Sequence, residues 1–193
     1  ANTIKNTLKK EGLLERPIHI ISANLHSVMN TLYSPIALKA ETSKTEIFKV
    51  YEALSQSDNK ALRNKVTQKA LQQGMIFIPD TSGTNIDVQI FDTAKLDLSK
   101  TDLNLPKQDK KSEAPVLFVM DYAFGEQAYE TIDEFLKPFR EGDAKTHLNI
   151  ESISIMGKAG ILEGSKGDIM IPSAHIFEGT ADNYPFKNEL NKS

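Results

Sequence analysis

The chain contains no cysteine among its 193 residues. This absence excludes disulfides, thiolate metal ligands and a cysteine nucleophile, and it fits a cytoplasmic protein. No apolar run approaches the roughly 18 residues that a membrane-spanning helix needs. Residues 1–6 also lack the apolar core of a signal peptide. We therefore expect a cytoplasmic protein without a membrane partner.

An excess of charge of one sign is also missing. The net charge is −3, with 25% charged and 39% hydrophobic residues. This composition is typical of a soluble globular protein and gives no general reason to expect a nucleic-acid partner. The four histidines and the acids show no metal-ligand spacing, and no Gly-x-Ser-x-Gly, P-loop or complete dinucleotide fingerprint occurs. We expect neither a metal nor a cofactor.

The N-terminal residues predict two helices and a strand. Residues 1–16 are polar and lysine-rich, typical of a short helix or a lead-in arm, and 18–21 are apolar and predict a strand. Ser22-Ala23-Asn24 can end this strand and cap a helix over about 25–38. Pro35 predicts that the helix breaks or ends near Ser34, because proline removes a helical hydrogen bond.

A helical pair and a hairpin are predicted next. Apolar residues at helical spacing across 42–73 indicate two amphipathic helices, and Gly74 ends the second one. Strand 75–78 and the alternating, half-buried strand 86–91 flank a turn at 81–85, which predicts a hairpin. The turn could hold a phosphate through its hydroxyl and N–H groups, although a plain hairpin turn is the favoured interpretation.

The whole chain, 1–193, is predicted as a single α/β domain with a mixed sheet flanked by helices. Residues 95–114 are polar, with almost no apolar periodicity. They predict a surface loop between an N-terminal part, 1–94, and a C-terminal part, 115–193.

A βαβ unit is predicted in the C-terminal part. Residues 116–120 form the most hydrophobic stretch, continuous rather than alternating, so we expect a central, parallel strand buried on both faces. Residues 127–139 predict a helix with one apolar side, ended by Gly142-Asp143. Residues 150–156 then predict a second buried strand, and 169–171 a third.

The two loops that follow the strands of this unit, 121–126 and 157–160, should lie at the same edge of the sheet. The side chains that this brings within reach of one pocket are Asp121, Phe124, Glu126 and Lys158. Glycines at the end of a buried strand let the backbone approach a ligand closely. An ordinary tight turn explains the glycines of 157–160 equally well.

Each candidate side chain also has a structural explanation. Lys158 could bind an anion or be a solvated turn lysine. Glu126, in the first turn of a helix, is explained by the helix dipole. His175 lies in an apolar stretch and is explained better as a core or edge histidine than as a catalytic one. His26 and Asn24 could line a pocket at the end of the first strand.

Three motifs occur in order: Gly157-Lys-Ala-Gly160, Gly167-Asp-Ile-Met-Ile-Pro172 and Glu178-Gly-Thr-Ala-Asp-Asn-Tyr184. Their order and spacing resemble the nucleoside phosphorylase superfamily, and most closely its AMP nucleosidase branch. The resemblance covers about residues 115–186, with a weaker likeness at 18–32.

This resemblance implies a three-layer α/β sandwich, here truncated, that binds a purine nucleotide or nucleoside at the carboxyl edge of its sheet, with phosphate as a further ligand if the enzyme is a phosphorylase. It implies an N-glycosidase, a hydrolase that breaks the bond to the base with water, or a phosphorylase that uses phosphate. A homo-oligomer is also expected. The residues that the resemblance assigns to substrate or anion binding are Gly125, Glu126, Gly157, Lys158, Ala159, Gly160, Glu178 and Tyr184.

The sequence also departs from the family pattern. Ile161 replaces a glycine of the turn, and Asp121 begins a loop that is usually Gly-x-Gly and would repel a phosphate unless paired. The half of the family fold that supplies the catalytic residues would follow Ser193, so no catalytic residue is assigned. We expect further residues or a partner to complete an enzyme. The alternative is a non-catalytic binding or scaffold module of the same fold.

Overall fold

A computed structural model describes residues 1–38, 44–97, 99, 101, 103, 113–123, 125–176, 183–185, 188 and 190. Contacts group the chain into two compact units, Ala1–Gly157 and Lys158–Ser193, and each is described by itself. The single domain expected over 1–193 stays a prediction, and most of the polar loop at 95–114 lies outside the described residues.

The first unit contains five α-helices, a short 3-10 helix at Thr93–Lys95 and seven strands among its described residues. The helices are α1 Asn2–Lys10, α2 Leu25–Leu38, α3 Lys44–Ser55, α4 Lys60–Gln72 and α5 Gly125–Leu136. The strands are β1 Ile18–Ser22, β2 Met75–Ile78, β3 Val88–Asp92, β4 Val116–Met120, β5 Phe139–Glu141, β6 Ala144–Thr146 and β7 Ile150–Ile155.

Five of these strands form one mixed sheet in the order β2-β3-β4-β1-β7. β1 pairs in parallel with both β4 and β7, whereas β3 is antiparallel to both β2 and β4. β4 has the central position that was predicted for 116–120. It is parallel to β1 but antiparallel to β3. The β4–α5–β7 connection passes across β1, which lies between its two strands.

Helices cover both faces of the sheet. On one face, Ile20 and Phe118 pack in a buried cluster with Phe135 of α5 and Leu8 of α1, and the rings of Phe118 and Phe135 stack with centroids 4.4 Å apart. On the other face, Val119 belongs to a second cluster that α2 and α4 complete. The predicted α/β class, with a mixed sheet flanked by helices, is confirmed.

The N-terminal segment is a helix that belongs to the core. Lys5 in α1 is only 2% exposed. Its Nζ donates hydrogen bonds to the carbonyl oxygens of Glu134, at 2.8 Å, and Lys137, which satisfies groups that the end of α5 leaves unpaired. Burial lowers the pKa of Lys5. α1 therefore fixes the C-terminal end of α5.

Two predictions in the N-terminal half are wrong in detail. α2 continues through Pro35 to Leu38, because Pro35 is buried and its neighbours Leu32 and Tyr33 pack in the second cluster, which outweighs the lost hydrogen bond. β3 was expected to be half-buried, yet all five of its residues are buried. Both faces of β3 contribute to the core, Ile90 to the first cluster and Phe91 to the second.

The helix predicted over 127–139 runs instead over Gly125–Leu136. Pro138 prevents its continuation, and β5 and β6 then form an antiparallel hairpin. Gly142-Asp143 was predicted to end the helix, but it forms the two-residue turn of this hairpin, with Gly142 at φ +57.

The strand predicted at 150–156 is present as β7, but its side chains are not buried. Ile153 is 47% and Ile155 77% exposed. Among the strands that the structure describes, β7 is the last of the sheet and pairs with β1 only. An apolar run does not distinguish such an edge strand from a central one.

The second unit contains a short antiparallel hairpin, β8 Ala174–Ile176 and β9 Asn183–Pro185. The buried strand predicted at 169–171 is wrong: these residues form no strand, and Ile169 is 88% exposed. A turn precedes them, in which Asp168 Oδ2 accepts a hydrogen bond from the N–H of Ser165 at 2.7 Å. In the described part of the chain, no helix has the length and apolarity to cross a membrane.

Candidate binding site at the carboxyl edge of the sheet

One edge of the sheet gathers three chain reversals of the first unit and the end of β7. β1, β4 and β7 are parallel, and their last residues are in register, with Ser22 beside both Met120 and Ile155. Val88 pairs with both Ile78 and Met120, so the loop between β2 and β3 lies at this edge as well. The sequence predicted the common edge of β4 and β7, and it missed the contribution of the hairpin loop.

The chain leaves β1 and β4 toward opposite faces of the sheet. α2, which follows β1, packs in the cluster of Val119, whereas α5, which follows β4, contributes to the cluster of Phe118. Adjacent parallel strands with diverging connections leave a crevice beyond their carboxyl ends. Here the N–H of Ala23 donates to the Met120 carbonyl oxygen at 3.1 Å at the floor of the crevice.

Asn24 and Asp121 lie in the segments that follow β1 and β4 at this edge. Oδ1 of Asn24 accepts a hydrogen bond from the His26 N–H at 2.9 Å, the interaction of a helix N-cap, and the predicted cap of α2 is thus confirmed. Asp121 is half-buried, and its Oδ1 accepts from the N–H of Tyr122 at 2.8 Å. Its own N–H donates to the Asp87 carbonyl oxygen at 3.0 Å.

The turn at 81–85 is organised by Asp80. Its carboxylate accepts hydrogen bonds from the N–H of Ser82 at 2.9 Å, the hydroxyl of Ser82 at 2.6 Å and the N–H of Asn85 at 2.8 Å. The hydroxyl of Ser82, then its N–H, hold the pKa of Asp80 well below its usual range. Since these donors serve the protein's own carboxylate, the structure favours the plain hairpin turn over a phosphate site.

The predicted site residues of the first unit lie at this edge. Gly125 is the first residue of α5 with φ +55, and a Cβ there would meet nothing within 4 Å, so its backbone conformation is what favours glycine. Glu126 is exposed in the first turn of α5, where the helix dipole favours an acid. Gly157 follows Met156, whose N–H donates to the Ser22 carbonyl oxygen at 2.9 Å.

The remaining predicted residues are not brought to this edge by the described contacts. Lys158, Ala159 and Gly160 belong to the second unit and are exposed outside any helix or strand. The backbone of Tyr184 lies in β9, in register with His175. Phe124 and Glu178 lie outside the described residues.

The edge is acidic. Its loops carry the carboxylates of Asp80, Asp87, Asp121 and Glu126, and the stretches 79–87 and 121–127 contain no lysine or arginine. Such an edge suits a neutral ligand with hydroxyl donors better than a free anion. Among the described residues, no three His, Cys, Asp or Glu side chains form a group that could hold a metal ion.

A buried ion pair at the opposite edge was missed by the sequence analysis. Nη1 of Arg16 lies 2.7 Å from Oδ1 of Asp92, and both residues are buried. Nε of Arg16 also donates to the Ala114 carbonyl oxygen at 2.8 Å. The pair joins the segment before β1 to the end of β3, which is a structural role. The one sequence signal for this ion pair is Asp92, an acid at the end of the apolar strand β3.

Two cavities in the described part of the first unit lie away from the carboxyl edge. One, of about 290 Å³, is lined by α1 and the β5–β6 hairpin, including Lys9 and Phe139. The other, of about 460 Å³, lies between α2 and α4 and includes Ile36 and Gln68. Neither includes a predicted site residue.

Comparison with known proteins identifies a family but no function. Residues 47–193, which begin in α3 and include most of the sheet, match a family of unknown function, DUF6909. No curated protein and no solved structure matches the chain. The match covers 147 of the 193 residues, so the chain belongs to the DUF6909 family.

Proposed function

We propose that this chain binds a purine nucleoside or nucleotide in the crevice between the carboxyl ends of β1 and β4. The observation that carries the proposal is that the connections to α2 and α5 leave the sheet toward opposite faces. Open α/β sheets bind ligands in the crevice at such a point of divergence. The ligand class is suggested by the three ordered motifs. They resemble the nucleoside phosphorylase superfamily, whose fold is a three-layer sandwich.

The charge at the edge favours the sugar over the phosphate as the group bound there. The carboxylate of Asp121, half-buried in the segment that follows β4, can accept hydrogen bonds from ribose hydroxyls, the role that acids have in dinucleotide sites. A nucleotide also needs a cation for its phosphate. The resemblance predicts that Lys158, with the backbone at 159–160, binds an anion, and this prediction is separate from the crevice of the first unit.

Cleavage of the N-glycosidic bond is proposed only for the chain completed by further residues or by a partner. Water would add its hydroxyl to C1′ of the sugar, the bond from C1′ to the base nitrogen would break, and the base would leave with the proton. The alternative is a binding or scaffold module without this activity. Release of free base from AMP or a nucleoside distinguishes the two.

Isothermal titration calorimetry of the chain with adenosine, inosine, AMP and inorganic phosphate tests binding itself. We expect heat with the nucleosides and none with phosphate alone, because the edge is acidic. Absence of heat with every nucleoside and nucleotide would refute the proposal. Heat with a nucleoside but no release of base would favour the binding module over the enzyme.

The same proposal includes a homo-oligomer in the cytoplasm. Fractionation of cells and detection of the protein with an antibody tests the compartment, and a membrane or secreted location would contradict it. Sedimentation of the purified chain tests the oligomer.

A further inference from the structure

Gln89 of β3 is a buried amide without a partner for its oxygen. The residue is 5% exposed, and its Oε1 accepts no hydrogen bond from the residues that the structure describes. Three other buried side-chain atoms share this property, but they belong to Asn30 and Ser34 of α2 and to Gln73 after α4. Because an unsatisfied buried acceptor destabilises a fold, it calls for a functional or structural reason.

The strand register places Gln89 directly beneath the acidic edge of the first unit. Gln89 pairs with Val119 of β4. The N–H of Asp121 donates to the Asp87 carbonyl oxygen at 3.0 Å, which continues the same ladder beyond the end of both strands. Side chains alternate along a strand, so Gln89, Asp87 and Asp121 lie on one face of the sheet, with the amide roughly 7 Å below the carboxylates.

The neighbours of Gln89 on this face are apolar. It lies between Val119 and Phe77 of β2 in the register of the sheet. Val119 is fully buried in the second cluster, whereas the ring of Phe77 is 44% exposed. The face therefore offers an amide between an aromatic and an aliphatic side chain, and carboxylates one step nearer the edge.

This order of groups matches the order of groups in a nucleoside. A purine base has apolar faces and a polar edge, which suit apolar neighbours and a single amide. The ribose has hydroxyl donors, which suit the carboxylate of Asp121. A nucleoside that enters base first would bring its base to Gln89 while its sugar stays beside Asp121.

We propose that Gln89 binds the 6-position edge of the purine base, an inference that rests on the proposed nucleoside site. A carboxamide presents an acceptor and a donor side by side, which complements adenine, whose N6–H donor lies beside a ring-nitrogen acceptor. It equally complements hypoxanthine, whose N1–H lies beside O6. Oε1 of Gln89 accepts from the base N–H and Nε2 donates to the neighbouring acceptor. The site then takes 6-amino and 6-oxopurine nucleosides and disfavours a purine without a base N–H.

Calorimetry of the parent chain with adenosine, inosine and unsubstituted purine riboside tests this selectivity without any substitution. Purine riboside has the same sugar but no base N–H for Oε1. We expect adenosine and inosine to bind about 10-fold more tightly. Equal affinities for the three nucleosides would overturn the role of Gln89 and leave the proposed function standing, whereas no binding of any of them would overturn both.

Gln89→Met assigns the preference to this side chain, because methionine is similar in length but has no amide. We expect its circular dichroism spectrum to match that of the parent chain and its preference for adenosine over purine riboside to disappear. Gln72→Met, at the exposed last residue of α4, should keep the 10-fold preference. A preference that persists in Gln89→Met, or that is lost equally in Gln72→Met, would overturn the inference.

Discussion

At the scale of single residues, the buried pair of Arg16 and Asp92 contributes most clearly to stability. In Arg16→Met the Asp92 carboxylate stays buried, and among the described residues the cation that still pairs with it is Lys95, whose Nζ lies 3.5 Å from Oδ2. Breaking a buried pair costs about 3–5 kcal/mol, and Lys95 places the expected loss at the lower end, about 3 kcal/mol. Urea unfolding measures it. Lys9→Met, which breaks the exposed pair with Glu141, should cost less than about 1 kcal/mol, and equal losses would contradict the account.

A second residue-scale prediction concerns alkaline pH. Burial, and then the charge of Asp92, raise the pKa of Tyr33, whose hydroxyl donates to the Gln73 carbonyl oxygen at 3.2 Å. The unfolded phenol loses its proton near pH 10 while the folded one retains it. The associated stability is therefore complete below about pH 10 and declines as the pH rises above it.

Urea unfolding from neutral pH to about pH 11 measures this decline. Tyr33→Phe should remove the part of it that comes from this phenol. Tyr129→Phe, at a side chain that is 73% exposed, should keep the profile of the parent chain. A parent-like alkaline decline in Tyr33→Phe would contradict the assignment.

At the scale of elements, the sequence predicts where most helices and strands lie, and it fails where the outcome depends on distant neighbours. β4 was identified as central because its apolar run is continuous. The same logic made β7 buried, which is wrong, because only the sheet order shows that β7 is an edge. The β5–β6 hairpin was missed because three-residue strands carry too little pattern to distinguish from a helix end.

The end of α4 provides an element-scale prediction. Gly74 was expected to end this helix, and it lies just after the C-cap with φ +97. A Cβ at Gly74 would lie 2.9 Å from Cβ of Lys95, so Gly74→Ala combines backbone strain with a clash. We expect it to lower the free energy of unfolding by about 1–3 kcal/mol, measured by urea unfolding.

Gly12→Ala is the matched control for Gly74→Ala. Gly12 also has a positive φ, +69, but a Cβ there meets nothing within 4 Å. Its loss of stability should be the smaller of the two, since only the strain remains. A larger loss for Gly12→Ala would show that the contact with Lys95 does not matter.

At the scale of the whole molecule, the fold extends beyond the region shared with the DUF6909 family. β1 lies before residue 47, where the family match begins, yet it pairs with both β4 and β7. Residues 47–193 alone would leave β4 and β7 without their common neighbour. The segment that includes α1, β1 and α2 is therefore required for the sheet and for the crevice.

The candidate site could be predicted from sequence only in part. Gly125, Glu126 and Gly157 lie at the expected edge because parallel strands share their carboxyl ends. The loop organised by Asp80 was not expected there, because its position depends on the antiparallel pairing of β3 with β4. Local pattern does not specify such a pairing.

Binding of a nucleoside beside Asp121 is the central claim, and calorimetry of two matched variants tests it most directly. Asp121→Asn keeps the shape but removes a charged acceptor, which should weaken adenosine or inosine binding by about 1.5–3 kcal/mol, roughly 10- to 150-fold. Asp143→Asn, at an exposed acid in the β5–β6 turn, should bind like the parent chain. Unchanged affinity in Asp121→Asn, or an equal loss in Asp143→Asn, would contradict the claim.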